Sequence, residues 1–145
     1  MALITCKPLT LSYVRHGFIA QYYLHSTQLQ YKAEMVNNMR HGSYEEYHRN
    51  GNLLYKGTFL YDRPIGQCNT YYDSGQLEAS MTFNGYGNLE GKHTTYYPDG
   101  RLMCKAYFVN GVFHDYYSVF DENGKLLLLL HYDHGKKHTI VEYKE

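Results

Sequence analysis

The side chains able to do chemistry in this chain are nine histidines, three cysteines, and 14 basic residues balanced by 14 acidic ones. Imidazoles invite a metal or acid–base reading, because a neutral ring ligates borderline cations and titrates near neutral pH. The only close histidine pair lies in His131-Tyr132-Asp133-His134. Residues three apart on a strand face opposite sides, and this segment runs into a turn, so the pair is not expected to converge on an ion. His41, His114 and His138 precede the start of successive strands at related positions, and recurrence alone accounts for them. Cys6, Cys68 and Cys104 are odd in number and unrelated in spacing, so neither a disulfide ladder nor a C-x-x-C zinc site can be drawn from them. They read as reduced, packed thiols, which places the protein in the cytoplasm. No serine or cysteine sits in a nucleophile elbow, no phosphate-cradling loop precedes a helix, and no paired carboxylates stand out. The residues therefore predict no enzyme, no metal site and no cofactor.

Composition narrows the partners. A neutral chain lacks the basic footprint that counterion release rewards, so no nucleic acid is expected. No apolar run approaches the roughly 18 residues of a membrane span, and the start lacks the layout of a secretory signal. At 145 residues the chain is long enough for one continuous core. Eighteen Tyr and six Phe with no Trp favour strands, where flat amphipathic rings suit a pleated, half-buried surface.

The elements that must position these groups announce themselves by repetition. A phrase runs Tyr47-His48-Arg49-Asn50-Gly51-Asn52-Leu53, returns from Tyr71 to Leu77 and from Tyr96 to Leu102, and ends as Phe120 to Leu126. Leu29, Leu53, Leu77, Leu102 and Leu126 are spaced by 24, 24, 25 and 24 residues. Each unit opens on an aromatic residue (Tyr23, Tyr47, Tyr71, Tyr96, Phe120), followed four residues later by Gly51, Gly75, Gly100 or Gly124, with Thr27 in the first unit. A second apolar anchor follows at Leu11, Met35, Phe59, Phe83, Phe108 and Tyr132, then a second turn residue at Asn38, Asp62, Gly87, Gly111 and Gly135. All of these turn residues tolerate a left-handed backbone.

Two turns per unit leave room for two strands and no helix, which predicts an all-β, elongated antiparallel β-hairpin solenoid. Leu53, Tyr55, Gly57 and Phe59 alternate onto one face, as do Leu77 to Phe83, Leu102 to Phe108 and Leu126 to Tyr132. Those sets are expected to stack in one buried ladder. The extra residue between Phe83 and Tyr96 is assigned to the loop Asn84-Gly85-Tyr86-Gly87-Asn88, without a change of register. The reading is a single repeat domain over 1–145. Residues 1–14, with Leu9 and Leu11 in the anchor frame, form an N-terminal half-repeat cap, 15–138 form five repeats, and 139–145 form a C-terminal half-repeat cap.

The phrase aromatic-x-x-x-Gly-x-Leu, with its later aromatic and second Gly or Asn turn, resembles the MORN-repeat variant over about residues 15 to 138. That resemblance implies a ladder of short β-hairpins acting as a non-catalytic binding surface. Its members include antitoxin- or immunity-like proteins and viral proteins, so the cytoplasm in question would be a host's if this chain is viral. The chain lacks the regular Gly-x-Trp/Phe spacing of classical MORN repeats, which argues away from phospholipid binding.

The candidate partner surface lies opposite the ladder. Outward positions are mixed in the early units (Leu54, Lys56, Thr58, then Glu78, Ser80, Thr82) and become apolar later, at Met103, Tyr107, Val109, Leu127 and Leu129. An apolar solvent face marks a protein partner, or a second copy in a homo-oligomer, unless the C-terminal half-repeat folds over Leu127 and Leu129. Tyr72 and Tyr97 are added as rigid rings suited to an interface.

Overall fold

In a computed structural model, which describes residues 15–142, the chain forms one open sheet of eleven strands whose spatial order is the chain order. The strands are β1 (His16–Tyr22), β2 (Leu29–Val36), β3 (Met39–Tyr47), β4 (Leu53–Leu60), β5 (Arg63–Tyr71), β6 (Leu77–Phe83), β7 (Gly91–Tyr96), β8 (Leu102–Val109), β9 (Val112–Phe120), β10 (Leu126–Asp133) and β11 (Lys136–Glu142). All neighbours are antiparallel. At about 4.8 Å per strand the sheet is roughly 50 Å long. The N-terminal half-repeat expected over 1–14 lies outside the described residues.

Two kinds of turn alternate along the two edges. In the aromatic-to-glycine turn the N–H of Gly51 donates to the carbonyl of His48 (2.9 Å), and the N–H of His48 donates to the carbonyl of Asn52 (2.8 Å). Gly51 is left-handed (φ 93). This is a type I turn closed by a bulge, and it recurs at Gly75, Gly100 and Gly124. The opposite edge carries two-residue turns with two consecutive left-handed residues: Asn37-Asn38 (φ 50, 63), Tyr61-Asp62 (50, 63), Asn110-Gly111 (50, 79) and His134-Gly135 (46, 79). That pair of angles is a type I′ turn, whose twist matches the strands it joins. Tyr61 and His134 are unexpected there, since a residue with a Cβ pays for φ > 0.

Loop Asn84–Asn88 replaces a type I′ turn with a copy of the glycine turn: Asn84 N–H donates to Asn88 O (2.9 Å) and Gly87 N–H to Asn84 O (3.0 Å). The register beyond it is kept, with Ala79 opposite Thr95 and Ser80 opposite Thr94. The first unit is different. Tyr23 N–H bonds the carbonyl of Gln28, and Ser26 N–H that of Tyr23. Tyr23 thus takes the place of His48, and Tyr22, not Tyr23, is the opening aromatic. The turn holds one extra residue, with His25 left-handed (φ 57).

The core is thinner than a continuous buried ladder. Among the described residues the buried apolar side chains are Ala33, Phe59, Cys68, Ala79, Ala106 and Phe108. Leu53, Leu77, Leu102 and Leu126 are half-buried, as are Phe83 and Tyr132. Among the described residues no second layer lies over the inner face, so burial comes from lateral contact between rings. In one half Tyr44 packs against Tyr31 (5.9 Å), Tyr55 (5.7 Å) and Phe59 (5.4 Å), with the Arg40 guanidinium 4.0 Å from the Phe59 ring centre. In the other, Phe113 packs against Phe108 (4.6 Å), Tyr132 (5.0 Å) and Tyr117 (5.7 Å). The buried Ala79 on β6 lies between these clusters, and the buried Gly57 sits within the first, opposite Tyr44.

Candidate partner interface

Register fixes which outward residues meet. Tyr107 lies opposite His114, Val109 opposite Val112, Lys105 opposite Ser118, Leu129 opposite Ser118, and His131 opposite Tyr116. Val109 (41% exposed), Val112 (45%) and Tyr116 (49%) are open to solvent near the type I′ edge, and Tyr107 and Leu129 are half-buried beside them. Leu127 (43% exposed) is the residue skipped where β9 and β10 change register, and Met103 is skipped likewise between β7 and β8. Those two sit toward the glycine-turn edge. The apolar positions therefore form a band across the strands with Leu129 at its middle.

β11 does not fold over this band. It extends the sheet in plane, with Leu129 opposite Val141 and Leu128 opposite Glu142.

At the N-terminal end the same face carries a charge-paired cluster, with Phe18 exposed beyond it on β1. The Glu45 carboxylate sits between Lys32 (2.7 Å) and Lys56 (3.3 Å), and the Tyr47 hydroxyl donates to it (2.5 Å). The Lys32 ammonium, then the Tyr47 hydroxyl, hold that carboxyl down to about 2. The centre of the N-terminal half of this face is thus charge-paired, and the C-terminal half carries the apolar band.

Tyr72 and Tyr97 lie apart from the band, in the glycine turns, and their hydroxyls have an internal task. The Tyr23 hydroxyl donates to the carbonyl of Tyr47 (2.6 Å), Tyr72 to that of Tyr96 (2.7 Å) and Tyr97 to that of Phe120 (2.9 Å). A nitrogen of His48 makes the equivalent bond to the Tyr71 carbonyl (2.8 Å). Each unit is stapled to the next through the residue after its opening aromatic. Sequence reasoning missed this, although a Tyr or His recurring at that one position was the available signal.

It also missed a cluster at the C-terminal rim. His114, Asp133 and His134 place one ligand atom each within 4.8 Å of one another. The His134 and His114 rings meet edge-on (5.2 Å), and His134 Nδ1 is 2.5 Å from the Asp133 carboxylate. The His134 contact, followed by the charges of His138 and His114, holds the Asp133 carboxyl below the usual carboxylate range. His41 and His114 occupy the third position of β3 and β9, inside the strands and not ahead of them. The thiols show no comparable grouping: Cys68 is buried, and burial pushes the half-buried Cys104 thiol up. Cys6 lies outside the described residues.

A family model for the MORN repeat variant matches residues 40–61, 64–84, 89–110 and 116–134, more than half of the chain. The chain belongs to the MORN-repeat variant family. Each matched segment holds one hairpin: β3–β4, β5–β6, β7–β8 and β9–β10. The β1–β2 hairpin precedes the matches and is joined to the next unit by the same Tyr23 staple. MORN repeats are generally protein- or membrane-interaction modules and generally non-catalytic. Among the described residues, no helix is long and apolar enough to cross a membrane.

Proposed function

We propose that this MORN-variant chain is a non-catalytic interaction module that captures a protein partner on the C-terminal band and so neutralises or sequesters it. Such a role would be of the antitoxin, immunity or viral counter-defence type, carried out in the cytoplasm. The observation that carries this reading is the cluster of exposed apolar side chains in the C-terminal half of one face. Lys32, Glu45 and Lys56 satisfy one another at the N-terminal end, whereas Val109, Val112, Tyr116 and Leu127 are each more than two-fifths exposed at the other. Apolar side chains on a solvated sheet face gain nothing from water, and a partner's apolar surface would cover them. Met103, Tyr107 and Leu129 are the half-buried floor of the band, while Tyr72 and Tyr97 stay committed to the turn staples.

A second reading, self-association as a structural or assembly protein (in a virion, for instance), draws on β1. There Phe18 is 82% exposed on a strand with a single described neighbour. One experiment separates the two. Wild type and the double variant Leu127→Glu/Leu129→Glu are used as baits in the native host, with light scattering on each purified protein. Capture by the wild type and loss of one specific partner, with scattering unchanged, is the result expected. A folded double variant that keeps the same partner refutes the band, and a mass dependent on Phe18 supports self-association instead.

A further inference from the structure

The type I′ edge contains a comparison within the chain. At the turn after β4, Tyr61 stacks edge-on against His41 (4.5 Å), and at the turn after β10, His134 stacks edge-on against His114 (5.2 Å). The two turns are geometric copies, with Tyr61 at φ 50 and His134 at φ 46. What differs is the chemistry. The C-terminal copy exchanges the phenol for a second imidazole and puts the Asp133 carboxylate immediately before it, where the earlier copy has Leu60. Two imidazoles and one carboxylate are the donor set that borderline first-row cations prefer.

We propose that His114, Asp133 and His134 form a binding site for a divalent cation of the Zn2+ class. Metal–ligand bonds of about 2.0–2.2 Å put neighbouring donors roughly 3 Å apart. The three donor atoms here already lie within 4.8 Å, so side-chain rotation of the exposed Asp133 and His134 closes the set. The 2.5 Å contact between His134 and Asp133 brings an imidazole and a carboxylate together at the point where the cation would sit. His114 comes from a strand, and its Nδ1 has no hydrogen-bond partner to compete for the ring. Gly135 anchors the turn against β9, because a Cβ there would come within 2.7 Å of the Val112 side chain. His114 and His134 also line a cavity of about 230 Å3 with Val109, Asn110, Val112 and Phe113. Three protein donors leave a coordination position for water or an outside ligand, as in open sites.

Zn2+ titration calorimetry on the full chain tests this, with Co2+ substitution followed by visible absorption. One equivalent of Zn2+ should bind, and Co2+ should give the intense bands of low-coordinate nitrogen and oxygen ligation. His134→Asn (a residue the turn accepts) and Asp133→Asn, both exposed and so unable to unfold the sheet, should each weaken binding about tenfold or more. His114→Gln should do the same. His41→Gln and His131→Gln should bind as the wild type does. Absence of a stoichiometric site, or a site that survives both His134→Asn and Asp133→Asn, overturns the proposal. So does equal weakening by His131→Gln, which would point to unspecific imidazole binding.

Discussion

Gly57→Ala should destabilise the protein, although the backbone there is ordinary and alanine is the better strand residue. Gly57 occupies the place in β4 that Ala33 takes in β2 and Ala106 in β8. A Cβ at Gly57 would lie 2.6 Å from Cys68 Sγ, 2.8 Å from the Tyr55 hydroxyl and 3.1 Å from a Tyr55 ring carbon. Comfortable contacts are about 3.5–4.0 Å, so something must move by close to 1 Å. Cys68 is fully buried, and the Tyr55 hydroxyl is hydrogen-bonded to it and raised in pKa mainly by burial, so neither gives way freely. Overpacking of this kind costs about 1–3 kcal/mol, offset by about 0.4–1 kcal/mol from the less flexible unfolded chain. The net loss is about 1–2 kcal/mol, a fall in melting temperature of about 2–8 °C at this size. Urea denaturation of Gly57→Ala, Cys68→Ala and the double variant measures it. Removing Sγ opens the space the new methyl needs, so the double variant should recover about 1 kcal/mol relative to additivity. Gly57→Ala as stable as the wild type, or strict additivity with Cys68→Ala, would show that the close approach does not hold the two strands as described.

Phe108→Ala should cost about 3–5 kcal/mol in denaturant melts, whereas Phe83→Ala, half-buried beside the long loop, should cost less, about 2 kcal/mol. Tyr72→Phe removes one staple, and with it about 1 kcal/mol and the amide-exchange protection of the strands it joins, without altering circular dichroism. Gly66→Ala meets no atom within 4 Å but must hold φ +66, so its loss of about 1–2 kcal/mol in the same melts is purely a backbone cost. Glu45 has a depressed carboxyl, so its contribution is complete above the ordinary value of 4.5 and disappears as pH falls toward about 2. Because Lys32 and Lys56 are more than half exposed, that contribution is on the order of 1 kcal/mol. Acid titration of stability in wild type against Glu45→Gln should show the difference vanishing over that window.

What was legible in the residues follows from which contacts are local. A left-handed turn leaves its mark in the glycine or asparagine that adopts it, so the hairpins, their order and the unchanged register past Asn84–Asn88 could be read directly. The outward alternation of Tyr107 and Val109 was legible for the same reason. Burial was not, because it depends on a second layer. The alternation of Leu77 to Phe83 reads identically whether or not anything covers it, and here nothing in the sheet does, so half-buried leucines replace the expected ladder. The first unit misled because His25 takes a left-handed angle without being glycine, which hides a one-residue insertion and shifts Tyr23 into the staple position.

The remaining misses share one physical cause. Tyr72 to Tyr96 and His48 to Tyr71 join adjacent hairpins, and His114 to His134 joins a strand to the turn that follows its partner strand; these contacts are 24, 23 and 20 residues apart. A search along one strand for a second ligand asks only whether His131 and His134 share a side, and strand alternation sets them apart, although the turn brings His134 back against the outward-facing His114. In a stack of hairpins the relevant neighbour of His134 is the third residue of the strand before its own hairpin's second arm, which is His114. A repeat therefore hides its sites in the comparison of like positions. At the two matching turns Tyr61 and His134 share backbone and stacking, and only the second has a carboxylate and an imidazole to offer. A departure from the repeat that keeps backbone and stacking and changes only the ligating chemistry is the kind of irregularity a binding site would leave.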